Sequence, residues 1–177
     1  MILLVASPHK VLRADDGLQV ATFSVDITPR LGIPAGQGFL KTAEHPLLAR
    51  GILLKGFGVS CVICTLDLME IHNESYDFLR RTIGEVADVP ESHVALHCLH
   101  QHTAPAICTA ALRLARAEDD PRLIATAEYL TLIGENLTAA IKDAQKNWQR
   151  ATHVGTGRGL VERVASNRRI ELTDGTI

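Results

Sequence analysis

The chain has 177 residues, of which 46% are hydrophobic, so it is long enough and apolar enough to bury a core of its own. Charged residues make up 21% and the formal net charge is −2, which gives no electrostatic reason to expect nucleic acid or an anionic membrane as a partner. Aromatic residues make up only 4%, which argues against a stacking platform for bases.

The N-terminal segment is apolar for only a few residues, and no basic stretch precedes them, so it lacks the features of a secretory signal. No later segment reaches about 18 uninterrupted apolar residues, the length that a membrane-spanning helix needs. The sequence therefore predicts a cytoplasmic protein without a transmembrane segment.

The first half of the chain predicts a loosely packed leader over residues 1–17, followed by strands. Leu18 to Ile27 alternates in part and predicts a strand, and two prolines and three glycines within residues 28–38 predict a loop. Leu47–Phe57 and Val59–Leu68 predict the two strands of a hairpin, because a glycine-rich turn joins them.

The next segments predict a βαβ unit. Apolar residues at helical spacing predict a helix from Asn73 to about Ala87, and His93–Cys98 predicts a strand after it. This strand and the one before the helix should be parallel, with a right-handed crossover.

The strongest helical pattern begins at Asp120-Pro121, where aspartate caps the helix and proline suits its first turn. Its apolar stripe falls at alternating spacings of four and three: Leu123, Ala127, Leu130, Gly134, Leu137, Ile141, Ala144 and Trp148. Thr152–Gly159 and Ile170–Leu172 predict strands around a turn. The elements together predict an α/β fold: a mixed β-sheet with a βαβ unit and flanking helices.

The C-x-x-C spacing of Cys61 and Cys64 raises the possibility of a metal or redox pair. Both cysteines lie in a predicted strand, however, where residues three apart point to opposite faces. We therefore expect two small buried hydrophobic side chains, and free thiols in all four cysteines.

Four of the eight histidines fall within ten residues, at positions 93, 97, 100 and 102. On a strand, His93 and His97 share one face, and His100 and His102 would share the other. Because the predicted strand ends near Cys98, His100 and His102 lie at the carboxyl end of a parallel strand, where open α/β sheets bind ligands. Neutral imidazole is the commonest metal ligand, so this pair is a candidate metal site.

A catalytic zinc ion normally has three protein ligands and a water molecule, so two histidines are not enough. Asp67 ends the neighbouring predicted strand, and it is a candidate to ligate the metal or to support a ligand. Capping the next turn is its alternative role. Glu70 and His72 are further candidates nearby in sequence.

Several segments resemble the neutral/alkaline ceramidase N-terminal domain family, and they occur in the order of that family. They are Val25-Asp26-Ile27-Thr28-Pro29 with Leu31–Pro34, His45-Pro46-Leu47-Leu48-Ala49-Arg50-Gly51, Thr65-Leu66-Asp67-Leu68, His100-Gln101-His102-Thr103-Ala104-Pro105, and Ser166-Asn167-Arg168-Arg169 with Asp174-Gly175.

This resemblance implies a zinc-dependent hydrolase that cleaves amide bonds, with a layered α/β sandwich of which residues 18–177 form the N-terminal part. It implies that His100 is a zinc ligand, that His102 lies beside the substrate, and that Arg168 lies in the substrate pocket. The implied partner is a small-molecule or lipid-amide substrate, and an oligomer is compatible with the sequence.

The departures from the family pattern at Gln101, Thr103 and Ala104 argue against ceramide itself as the substrate. The other zinc ligands and the serine of the family have no counterpart here, so we expect an N-terminal fragment that is inactive alone. Two alternatives stay open: an amidohydrolase-type metal enzyme that uses His-x-His, and a non-catalytic domain that binds a ligand or partner on the same scaffold.

Overall fold

The computed structural model describes residues 12–13, 17–35, 38–115, 118–160, 162 and 169–176. Residues 14–152 form one compact unit, and residues 1–13 with 153–177 form a second. The division expected from the sequence, a leader over 1–17 and a domain over 18–177, stays a prediction. Most of the leader lies outside the described residues.

In chain order the strands are β1 (Leu12–Arg13), β2 (Gln19–Asp26), β3 (Pro34–Ala35), β4 (Gly38–Phe39), β5 (Leu48–Gly56), β6 (Val59–Leu66), β7 (Glu70–Ile71), β8 (Val94–Cys98), β9 (Ala106–Ile107), β10 (Gln149–Arg150) and β11 (His153–Val154). The helices are α1 (Asn73–Ala87), a single 3₁₀ turn (Glu91–His93), α2 (Thr109–Ala115) and α3 (Pro121–Ala144).

The larger unit is built on a five-stranded sheet with the order β10-β2-β5-β6-β8. All neighbouring pairs are antiparallel except β6 and β8, which are parallel and are connected through α1. The predicted α/β fold with a mixed sheet, a βαβ unit and flanking helices is therefore confirmed.

The hairpin of β5 and β6 is closed by a two-residue turn, since Gly56 pairs with Val59. Phe57 and Gly58 both have positive φ, 54° and 75°. This is the type I′ geometry, whose twist matches that of the two strands and fixes their register.

One face of the sheet carries the hydrophobic core. In β6 the side chains of Val62, Cys64 and Leu66 are buried, whereas Ile63 between them is exposed, as a strand with period two requires. Helices α1 and α3 add further core side chains, with Leu79, Ile83, Ile133, Leu137 and Ile141 fully buried. Among the described residues, no helix combines the length and the hydropathy needed to cross a bilayer.

The predicted long helix is confirmed, including its cap, because the Asp120 carboxylate accepts a hydrogen bond from the backbone N–H of Arg122. The helix ends at Ala144 rather than at Trp148. Of the predicted stripe, Ala127 is only half-buried, and Trp148 lies beyond the helix with the Lys55 ammonium 4.1 Å from its ring centroid.

Several short elements differ from the expectations. Helix α2 and the parallel pair β7–β9 were not predicted, and only His153–Val154 of the predicted strand over Thr152–Gly159 is a strand. Ile170–Leu172 is wrong as a strand, although a turn does follow it. These terminal segments are exposed, so no buried face enforces a strand there.

The buried Cys64 thiol and the half-buried Cys98 thiol predict a loss of stability at alkaline pH. Burial raises the pKa of Cys64 to about 12 and that of Cys98 to about 11. Unfolding lowers both values to about 9, so the unfolded chain releases protons that the folded chain holds. The free energy of unfolding should therefore fall as the pH rises above about 9 towards the folded-state pKa values, by up to about 1.4 kcal/mol per pH unit for Cys64.

Urea unfolding at a series of pH values checks this expectation. Cys64→Ala should reduce the slope of the free energy of unfolding against pH, whatever its effect on stability at pH 7. The matched control is Cys61→Ala, which removes a half-buried thiol from the opposite face of the same strand. An equal loss of slope in that control would contradict burial of Cys64 as the cause.

Candidate metal site

The candidate site lies where the chain leaves β8. The backbone N–H of Leu99 donates to the carbonyl oxygen of Leu66 at 3.1 Å, and that of His100 donates to the carbonyl of Leu68, also at 3.1 Å. His100 has a φ of 64°, in the left-handed region, so the chain turns sharply there instead of continuing the strand.

The ring of His100 is held by the carbonyl oxygen of Met69, which lies 2.8 Å from its Nδ1 atom. A carbonyl oxygen only accepts, so in the neutral ring Nδ1 carries the proton and Nε2 keeps its lone pair. Metal-binding histidines are commonly oriented in this way by a backbone carbonyl.

The ring of His102 meets that of His100 edge to face, with 4.8 Å between the ring centroids. The two Nε2 atoms lie 3.2 Å apart, close enough for His102 to donate a hydrogen bond to the free lone pair of His100. Two nitrogens on one tetrahedral zinc ion are separated by a similar distance, about 3.3 Å. The structure therefore brings together the two histidines that the sequence singled out.

Asp67 is buried, and its carboxylate bonds the neighbouring strand. Oδ2 accepts from the backbone N–H of Leu48 at 2.9 Å, and both carboxylate oxygens lie 3.4 Å from Nη1 of Arg50. None of these contacts joins Asp67 to a histidine, so its predicted role as a metal ligand stays a prediction. Sequence reasoning assigned no role to Leu48 or Arg50, although both lie within a segment that it singled out.

The other candidate histidines and acidic residues have partners outside this pair. His97 bonds the hydroxyl of Thr65 at 2.8 Å, and His72 pairs with Glu70 at 3.2 Å. Arg168 lies outside the described residues. Across the part of the chain that the structure describes, no three side chains of the His, Cys, Asp and Glu types are placed to hold one metal ion.

A cavity of about 540 Å³ lies beside His102, between the loop over residues 39–47 and the turn of Gln101 to Thr103. Phe39, Leu40 and Leu47 line it with apolar groups, together with the charged side chains of that loop. Sequence reasoning singled out only His45–Leu47 of this loop and gave them no role in a cavity, because a short exposed segment has no periodicity that could point to a site.

No protein-family model matches the chain, and no curated protein matches it. Among solved structures, the neutral ceramidase from Pseudomonas aeruginosa superposes with a TM-score of 0.56 and 16% sequence identity, covering 77% of this chain. The fold resembles that of neutral ceramidase. A ceramidase complexed with C2 superposes with a TM-score of 0.52, at the same identity and coverage of this chain.

The likeness to these ceramidases is one of fold, because 16% identity carries no residue roles across. The chain spans about a fifth of the length of either structure, since the superposition covers 22% of each. The ceramidase-like fold expected from the sequence is thus confirmed at the level of architecture. Activity, substrate and metal are matters for proposal.

Proposed function

We propose that this chain carries one edge of the zinc site of a ceramidase-like hydrolase that cleaves amide bonds. The observation that carries the proposal is the His100 ring, which is oriented by the Met69 carbonyl and meets Nε2 of His102 at 3.2 Å. In the proposal His100 is a metal ligand and His102 lies beside the substrate.

The donor chemistry fits zinc, because neutral imidazole nitrogens are among its usual ligands. When bound, zinc polarises a scissile carbonyl or lowers the pKa of a bound water to about 7. A catalytic zinc ion needs three protein ligands, and no three described side chains are placed to hold one, so in the proposal the ligands besides His100 come from outside this set. We therefore expect the 177-residue chain alone to bind zinc without catalysing hydrolysis.

The proposed roles of the other residues follow from their place around this pair. His102 is exposed, so its ring can move a proton or steady the developing negative charge on the substrate oxygen. The cavity beside His102 accommodates the part of the amide substrate next to the scissile bond. Arg168 stays a predicted substrate-binding residue.

The non-catalytic alternative keeps the same scaffold and binds a ligand or partner without hydrolysis. The amidohydrolase alternative predicts eight parallel strands in a closed barrel. The observed five-stranded sheet, in which only β6 and β8 are parallel neighbours, does not support that architecture.

Isothermal titration with zinc, with and without His102→Gln, tests the proposal. We expect one zinc ion per wild-type chain and an affinity of the His102→Gln variant within about threefold of it, because His102 acts on the substrate and not on the metal. Absence of zinc binding in the wild type would overturn the proposal. A loss of 100-fold or more in the variant would instead make His102 a ligand.

Hydrolysis of short and long N-acyl amides by the natural full-length polypeptide distinguishes the two remaining functions. Turnover that His102→Gln removes supports the hydrolase. Zinc binding with no turnover of any amide in that polypeptide supports the non-catalytic scaffold.

A further inference from the structure

The segment over residues 66–69 presents His100. Its carbonyl oxygens accept from the backbone N–H of Leu99, from the backbone N–H of His100 and from Nδ1 of the His100 ring. The position of His100 and the nitrogen that carries its ring proton are therefore both set by this neighbouring segment.

Asp67 fastens that segment to β5. Its backbone N–H donates to the carbonyl of Leu48 at 2.9 Å, and its carboxylate accepts from the backbone N–H of Leu48 at 2.9 Å. In an antiparallel ladder the carbonyl of residue 67 would receive that second bond. Because the carboxylate replaces that carbonyl as the acceptor, the chain leaves the sheet at Asp67 while the backbone N–H of Leu48 keeps a hydrogen bond.

An arginine side chain compensates the negative charge of the buried Asp67 carboxylate. Only 11% of its side chain is exposed, and the Arg50 guanidinium lies 3.4 Å from both carboxylate oxygens. Removing this carboxylate would leave the backbone N–H of Leu48 without its acceptor, whereas the half-exposed Arg50 side chain can turn to solvent.

We propose that Asp67 is a positioning residue for His100: it fixes the segment whose Met69 carbonyl selects the ring nitrogen left free for metal. The consequence for metal affinity rests on the proposed function, whereas the consequence for the ring proton does not. Asp67 thus acts through main-chain geometry, and it needs no contact with the metal.

The test compares Asp67→Ala with Asp67→Asn in metal-free protein and in zinc titrations. Long-range proton–nitrogen spectra recorded above pH 8 report which ring nitrogen is protonated. The signals of His100 are assigned as those that are missing from the spectrum of His100→Asn. We expect Asp67→Ala to let the His100 proton exchange between both nitrogens and to weaken zinc binding 10–100-fold. Asp67→Asn keeps an acceptor for Leu48 and should restore both readouts to within about threefold.

Asp120→Ala is the matched control, because Asp120 also accepts from a backbone N–H and pairs with an arginine, at the start of α3. It should destabilise the start of α3 by removing its cap and leave the His100 ring proton and the zinc affinity unchanged. An unaltered His100 ring in Asp67→Ala, or an equal change in Asp120→Ala, overturns the proposal.

Hydrogen exchange in the wild-type chain tests the same proposal when Asp67→Ala does not fold. If Asp67 fastens the segment, the amide protons of Leu48, Leu99 and His100 open with one common free energy. Fast exchange at Leu48 beside strong protection at Leu99 and His100 would show that the segment is held without Asp67. If zinc fails to bind while the ring proton responds as expected, the proposed function fails and the positioning role stands.

Discussion

His100→Asn is expected to weaken zinc binding by at least 100-fold while changing the free energy of unfolding by no more than about 1 kcal/mol. The variant removes the imidazole whose Nε2 atom is free for metal, and with it the metal ligand that the proposal assigns to position 100. Asparagine is among the residues that best tolerate the left-handed region, and position 100 has a φ of 64°. The substitution therefore separates ligand loss from backbone strain.

Zinc titration and urea unfolding of metal-free protein measure the two effects. The matched control is His97→Asn, which removes an exposed histidine whose ring bonds Thr65 on the adjacent strand. That control should keep its zinc affinity. If His100→Asn binds zinc as tightly as the wild type, His100 is not a ligand and the proposed site is wrong.

Gly51→Ala is expected to destabilise the fold by about 3 kcal/mol, because a side chain at this position has no space. Gly51 lies opposite Phe23 in the pairing of β5 with β2, and the Phe23 ring covers the glycine. A Cβ atom there would collide with that ring and would lie 2.8 Å from the carbonyl oxygen of Ile63. Either the ring or the strand backbone must move.

A double-mutant cycle with Phe23→Leu identifies which neighbour is responsible. Leucine lacks the ring atoms that the new Cβ meets, so Gly51→Ala should cost less in that background. Gly155→Ala, where no atom lies within 4 Å of the added Cβ, should change stability by less than about 0.5 kcal/mol. Strictly additive costs for Gly51 and Phe23 would contradict the collision with the ring.

The elements that periodicity specifies were predicted from the sequence. Strand β6 alternates buried and exposed side chains, and α3 places its apolar residues on one stripe, so both were found close to their observed bounds. Helix α2 has seven residues with a single fully buried side chain, Thr109, and such a segment offers no periodic signal. The exposed C-terminal segments fail for the same reason.

For the candidate site, the direction of the strands predicted only the edge of the sheet at which the two histidines lie. The predicted strand end placed His100 and His102 just beyond the carboxyl end of β8, where the structure has them, and the use of that edge as a ligand site stays a prediction. Strand direction could not give the 3.2 Å between their Nε2 atoms, since that distance depends on the turn at His100 and on the Met69 carbonyl. The contact of Asp67 with Leu48 depends on the register of two strands, and composition and spacing do not encode it directly.

The two-residue turn at Phe57-Gly58 controls more than the hairpin that it closes. Counting along the paired strands from Gly56 and Val59 reaches Leu48 and Asp67 eight residues later, about 27 Å away. An insertion of one residue in that turn would slide one strand past the other and separate Asp67 from Leu48. The length of the turn at one end of the sheet therefore determines whether Asp67 meets Leu48 at the other end, beside the segment that orients His100.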